Sequence, residues 1–253
     1  MCTVVVSFEP GSAIPVLVVG VRDEFLARPW RFPGAHWPDR PGVLGGQDLQ
    51  AGGTWLAVDP VQPAVSCVLN GFGPTAGTDG RRSRGDLPLG APLEDPVHYD
   101  PFHLVRATAL GVRIWSWDGR ELDSQELSPG LHIVTNMGLD GIRERDAPEQ
   151  AVTDIRQRLE YFRPRLAAAR PEPGDGPVAT AWREWLPLFT GDGLAREDSR
   201  ALLVRREFGE EFGEHEIWGS SSVSLVALRQ DGVRYDFSAV PADDARFEWV
   251  SVA

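Results

Sequence analysis

Apolar residues gather in short β-branched runs toward both ends of the chain and take helical spacing only in the middle. "TVVVSF" (3–8) and "VLVVGV" (16–21) predict two strands, and the turn-rich "EPGSAIP" between them lets the second fold back on the first. "GGTWLAVDP" and "AVSCVLNGFG" predict another strand pair. Asp100–Pro101 offers an N-cap and a first-turn proline, so "PFHLVRATAL" is predicted helical, with Gly111 ending it. In "VRIWSWDGRELDSQEL" the Asp118–Gly119 pair predicts a hairpin, and "LHIVTN" a strand after the "SPG" turn. Residues 148–166 place Val152, Ile155, Leu159 and Phe162 on one helical face. Beyond the "PEPGDGP" loop, "VATAWREWLPLF" predicts another helix, "SSSVSLVALRQDGVRYDFSAV" a second Asp-Gly hairpin and "ARFEWVSV" a last strand. Strands, then helices, then strands, without a repeat, predict one α+β domain over residues 1–253 in which two sheets stack between helices.

Composition removes whole chemistries from this picture. The chain carries 37 acidic against 25 basic side chains, a balance that repels nucleic-acid phosphates and anionic membrane surfaces. Every basic residue is arginine, which excludes Schiff-base and P-loop lysines. The amino-terminal segment has no basic n-region followed by a long apolar run, and "AIPVLVVGV" is too short to cross a bilayer. Two cysteines, Cys2 and Cys67, make no disulfide framework. A soluble, cytoplasmic protein is expected, with a small-molecule ligand or substrate as partner, no nucleic acid, no integral membrane association, and room for a homo-oligomer.

Cys2 directly follows Met1. On removal of Met1 it would own both a thiol, with an ordinary pKa of about 8.5, and an α-amine near 7.7–8.0 that serves as a general base. Such a nucleophile needs a carboxylate to orient the amine, and Asp23 or Glu24 in "VRDEF" stands beside the terminus if the first two strands pair antiparallel. It also needs oxyanion donors, and Asn70 and Asn136 lie at strand ends. A thiolate favoured by nearby positive charge, more reactive than Cys67, is expected.

"MCTVVV", "VRDEFLARPW", "LGGQDLQAGGTWLAVD", "CVLNGFG", "SRGDL", "GLHIVTNMGLD" and "WGSSSVSLVAL" occur in this order along the whole chain. Together they resemble the NRDE family, also called the transport and Golgi organisation family, most specifically through "GG-x-D-L-x-x-GGTWL" at Gly45–Leu56. The resemblance implies a four-layer αββα sandwich of two stacked antiparallel sheets, like that of N-terminal nucleophile hydrolases. More distantly, "MCT" and "VTN" followed by an aspartate resemble the cysteine-type penicillin and bile-salt amidohydrolases. That implies Cys2 as nucleophile, Asp23 beside its amine, and Asn70 and Asn136 shaping the oxyanion site, for hydrolysis of a small-molecule amide or thioester. Arg22 or Arg84 would bind a substrate carboxylate, and Trp55 would wall the pocket. The alternative implied is a non-catalytic haem or acyl-CoA carrier on the same fold. Two departures stand out: Val21 replaces the family's asparagine, and Trp218-Gly219-Ser220-Ser221 replaces a tyrosine-glycine-threonine-arginine stretch, so Ser221 stands where an arginine is usual.

Plainer readings apply elsewhere. Cys67 reads as a buried small hydrophobe in a strand. Arg22–Glu24 also fits a solvated strand exit, and "RGD" at 84–86 is a short match expected by chance. "GGQDLQAGGTWL" has no lysine and no following helix, so it predicts a turn feeding a strand rather than a phosphate cradle. His98 and His103 fall on opposite sides of the predicted helix start, and "HEIWG" lacks the second histidine of a zincin. No metal and no cofactor are expected.

Overall fold

Strand pairing starts where the apolar runs start. The computed structural model describes residues 2–142, 145–208, 216–241 and 246–253; Met1, His215 and Ala245 lie outside them. Along the chain run β1 (Thr3–Phe8), β2 (Val16–Phe25), β3 (Trp30–Gly34), β4 (Leu44–Asp48), β5 (Leu56–Asp59), β6 (Ala64–Asn70), β7 (Phe102–Thr108), β8 (Gly111–Trp117), β9 (Leu122–Glu126), β10 (Gly130–Thr135) and β11 (Gly138–Leu139). They are followed by helix α1 (Glu149–Ala168), the single helical turns α2 (Val178–Ala181) and α3 (Leu186–Phe189), and then β12 (Arg205–Phe208), β13 (Glu216–Leu228), β14 (Val233–Ala239) and β15 (Val250–Ser251).

Two antiparallel sheets result. The first has the order β11-β10-β1-β2-β13-β14-β15, with β12 also on β13; the second is a meander from β3 to β9. Side-chain alternation assigns the layers. Val4, Val6 and Phe8 of β1 and Val16 and Val18 of β2 point between the sheets, where they meet Leu56, Cys67, Leu69 and Val105. Val5, Leu17, Val19 and Val21 point the other way, against Ile155, Leu159 and Phe162 of α1 and against Trp182, Trp185 and Phe189. Burial on both faces is why β1 and β2 read as unbroken apolar runs. The outer face of the second sheet (Phe102, Leu104, Trp117) is covered by Leu87, Ala91 and Tyr99. On that side, among the described residues, the cover contains only short 3-10 turns, Arg84–Asp86 and Pro96–His98. Among the described residues no helix is long and apolar enough to cross a membrane.

Three expected elements differ. "PFHLVRATAL" is strand β7, not a helix. Phe102 and Leu104 face the loop cover while Val105 and Ala107 face the inter-sheet core, so both parities are apolar and the helical pattern is counterfeit. His103 therefore sits inside a strand and not at a helix start. "VATAWREWLPLF" is broken into α2 and α3, because the ring of Pro187 would clash with the carbonyl of Arg183 in a continuous helix. Among the described residues of "ARFEWVSV", only Val250–Ser251 pairs as a strand.

Candidate active site

Thr3 pairs with Val21 on one side and Thr135 on the other. That register carries residue 2 into a slot flanked by Arg22–Asp23 and by Asn136. From the opposing sheet, Asn70 ends β6 and Trp55 precedes β5. Cys2, Asp23, Asn70 and Arg84 are shared by two adjoining hollows of about 400 and 330 Å3. Arg22 and Trp55 line the first and Asn136 the second. All seven residues singled out in the sequence therefore border one cleft at the seam between the sheets. A cavity of about 740 Å3 lies at the opposite end of β6 and β7, away from this chemistry.

The Cys2 thiol docks on the backbone of Asp23, whose N–H donates to Sγ at 3.4 Å while Sγ donates to its carbonyl at 3.5 Å. Burial pushes the Cys2 thiol up and the Asp23 carboxylate adds to this, with the amino terminus and Arg22 opposing. The positive charge expected to favour the thiolate is present but is opposed by burial and by Asp23. Cys67, in the inter-sheet core, is pushed up to about 12, first by burial.

Asp23 continues the helix-facing side of β2. Ser220 Oγ donates to its Oδ1 at 2.6 Å, placed there by a register shift in β13 between Ser220 and Ser222. Beneath lies Arg158 of α1, only 1% exposed. It donates to Thr3 Oγ1 at 3.5 Å. Burial lowers its pKa, and the charges of Asp23 and Asp154 counter that. Asp154 in turn accepts from Gln150 at 2.7 Å and from Arg206. A buried chain of alternating charge thus runs from the cleft floor into the helix layer.

Asn136 joins the sheets. Its Nδ2 donates to the Asn70 carbonyl at 2.8 Å, and its own carbonyl lies 3.2 Å from Nε2 of His103. The other nitrogen of His103 meets Ser116 Oγ at 2.8 Å. The Asn70 side chain is exposed to the cleft.

The motif at Gly45–Leu56 builds the opposite wall. A Cβ on Gly46 would fall 2.3 Å from the Trp55 indole, so the glycine makes room for that ring. The Arg22 guanidinium lies over it, 4.4 Å from the centroid. Arg22 also donates to Asp48 at 3.3 Å and to Ser221 Oγ at 3.1 Å. Arg28 holds the same Asp48 at 2.6 and 3.2 Å, and the N–H groups of Gln50 and Ala51 complete its shell. Burial alone would raise the Asp48 carboxyl, but Arg28 and these donors hold it below the usual range. A Cβ on Gly53 would meet the Gly85 backbone at 2.4 Å, and Thr54 N–H donates to the Gly85 carbonyl at 2.9 Å. This contact fixes the turn that presents Arg84.

The two departures are now placed. Val21 lies in the helix-side core at 2% exposure. Ser221 accepts from the Arg22 guanidinium and donates to the Arg22 carbonyl at 3.1 Å. Asp48, His103, Arg158 and Ser220 escaped the sequence reading. Asp48 stood inside the quoted motif. Arg158 left one signal, a charge three residues after Ile155 and four before Phe162, on the face that has to be buried. Among the described residues no three His, Cys, Asp or Glu side chains gather as metal ligands.

Fold and cleft together define a class: a two-sheet antiparallel sandwich that offers a cysteine at the start of an interior strand to a polar, arginine-lined cleft. The chain belongs to the Transport and Golgi organisation 2 family, whose sequence profile matches residues 1–164. A solved structure, penicillin V acylase from Agrobacterium tumefaciens, is similar with a TM-score of 0.48 and 12% identity, over 99% of this chain and 86% of that one. No curated protein matches the sequence.

Proposed function

We propose that this protein hydrolyses an amide or thioester bond of a small molecule, with Cys2 as the nucleophile once Met1 is removed. The observation that carries the reading is the convergence of Cys2, Asp23, Asn70 and Asn136 on one cleft from segments spread over more than 130 residues. The raised thiol fits a mechanism in which the α-amine of Cys2 takes the Sγ proton as sulfur attacks the carbonyl carbon. The tetrahedral oxyanion is held by the Asn70 amide and by the second N–H of the Asn136 amide, its first being used on the Asn70 carbonyl. Collapse breaks the C–N (or C–S) bond, and the leaving group takes the proton from the α-ammonium. Water, deprotonated by the same amine, then attacks the acyl-thioester and restores the thiol. Asp23, fixed by Ser220, orients the amine.

The test is the mass of the amino-terminal peptide from the native host, joined to turnover of an amide and thioester panel. Loss of Met1 and turnover abolished by Cys2→Ala are expected; retention of Met1 in nearly all molecules would remove the mechanism. The carrier reading has one observation of its own, the 740 Å3 cavity lined by Phe8, Val65, Val112 and Leu127 with Arg106 beside them. Wild-type protein that binds haem or acyl-CoA tightly and cleaves no member of the panel would favour it.

A further inference from the structure

Five arginines line the cleft, and they are not equivalent. Arg22 is committed to Asp48, Ser221 and the face of Trp55. Arg28 forks onto Asp48, and Arg81 pairs with Asp100. Arg82 lies over the ring of Tyr99 at 4.9 Å. Arg84 alone of these guanidiniums has, among the described residues, neither a carboxylate within ion-pair distance nor a ring beneath it. Its recorded contact is a single donation from Nη1 to the Pro101 carbonyl at 3.0 Å. It is half-buried, and burial lowers its pKa while Asp100 is felt only as a more distant charge.

The backbone around it is fixed. Ser83 Oγ accepts from Gly85 N–H at 3.1 Å, Thr54 N–H grips the Gly85 carbonyl at 2.9 Å, and Gly53 packs on Gly85 without a side chain between them. A rigid, partly desolvated guanidinium with one edge unused suits an oxyanion taken bidentately. It stands in both hollows together with Cys2 and Asn70. With the other four guanidiniums committed, one fork is left, enough for one carboxylate, and the lining of the first hollow, these five arginines against Asp23, Glu24, Asp48 and Asp100, leans toward an anion.

We propose that Arg84 is the anion-recognition group of the cleft, and that the molecule it admits is a small amide or thioester bearing one carboxylate, of the N-acyl amino acid type. The identification of that molecule as a substrate rests on the hydrolase reading; the anion site does not. In the Cys2→Ala protein, which keeps the cleft and cannot turn over, N-acetylphenylalanine and its neutral counterpart N-acetylphenylalaninamide are titrated by calorimetry beside inorganic phosphate. The acid should bind at least tenfold more tightly than the neutral amide and than phosphate at pH 7.5. Adding Arg84→Gln should erase the preference, and Arg84→Lys, which keeps the charge without the fork, should keep only part of it. Equal or undetectable binding of acid and amide, a preference untouched by Arg84→Gln, or phosphate binding as tight as the acid would each overturn the proposal. Matched pairs given to the wild type separate the two ideas. Equal cleavage of acidic and neutral substrates sinks the anion site and leaves the hydrolase. An Arg84-dependent preference in binding without any cleavage does the reverse.

Discussion

Cys2 and Cys67 face the same layer between the two sheets, yet they live in opposite regions of it. Cys67 sits in mid-strand among Leu56, Leu69 and Val105, 2% exposed, with its thiol at about 12. Cys2 sits at the mouth, touching backbone polar groups of Asp23 and lying close to Arg22. Burial raises both thiols. The difference lies in what stands nearby to take the proton and hold the product charge. The mouth offers two asparagine amides and arginines, joined by an amine under the proposed loss of Met1; the interior offers hydrocarbon. Depth in a protein makes a thiol inert only where it comes without polar company.

The largest test of this contrast is chemical. Cys2→Ala should lower turnover of any substrate by at least about a thousandfold, whereas Cys67→Ala should leave it within a few fold, as measured by kcat/KM. A comparable loss in both variants would erase the distinction. Next comes Arg158→Met, which strips the buried counter-charge from Asp23 and Asp154. It should cost about 3–5 kcal/mol in urea unfolding, and Arg158→Lys should cost less.

The interior thiol makes a claim about alkaline stability. Its folded-state value is raised from an ordinary 9.0 to about 12. The folded state therefore holds a proton that the unfolded chain gives up. The stability contributed is complete below pH 9 and is lost as pH climbs toward 12, a total of about 4 kcal/mol. Urea midpoints at pH 8, 9.5 and 11 should fall for the wild type and fall less steeply for Cys67→Ala; parallel slopes would show that Cys67 is not the titrating group. The smallest effect expected is at the cleft wall. Asp48→Asn loosens Arg22 and Arg28 and should cost about 1–2 kcal/mol. Because the Asp48 carboxyl is held below its ordinary value of 3.8, that difference should fade as pH falls through the folded-state value.

Much of this arrangement was legible beforehand. The antiparallel pairing of residues 3–8 with 16–21, both Asp-Gly hairpins and α1 follow from alternation, turn chemistry and helical spacing, and Cys2, Asp23, Asn70 and Asn136, all named from the sequence, line one hollow. Other parts were hidden for physical reasons. The two faces of β7 are both apolar, so its period was mute. Strands β3 and β4 carry Pro33 and the Gly45–Gly46 pair and read as loop, although Gly46 is there to admit Trp55 and Gly45 to pass the Leu56 carbonyl. Strand β12 is mostly charged and pairs only with the first residues of β13, Glu216–Gly219, so no apolar run marks it. Arg158 and Asp154 contradict the rule that helix charges face solvent, and only the third dimension shows what they neutralise.

The seam at Asn136 has a wider meaning. Cys2, Asp23 and Asn136 belong to one sheet and Asn70 and Trp55 to the other, joined at the site by the Asn136–Asn70 and His103–Asn136 contacts. Under the proposed hydrolase function, alignment of the site is a reading of how the two slabs sit on each other, as a vernier reads the offset of two scales. A hollow made far from the cleft, as in Val226→Ala between the sheets, should let the slabs creep and dim turnover at temperatures where circular dichroism still reports a full complement of strands. Activity in this protein should therefore register slippage before unfolding begins.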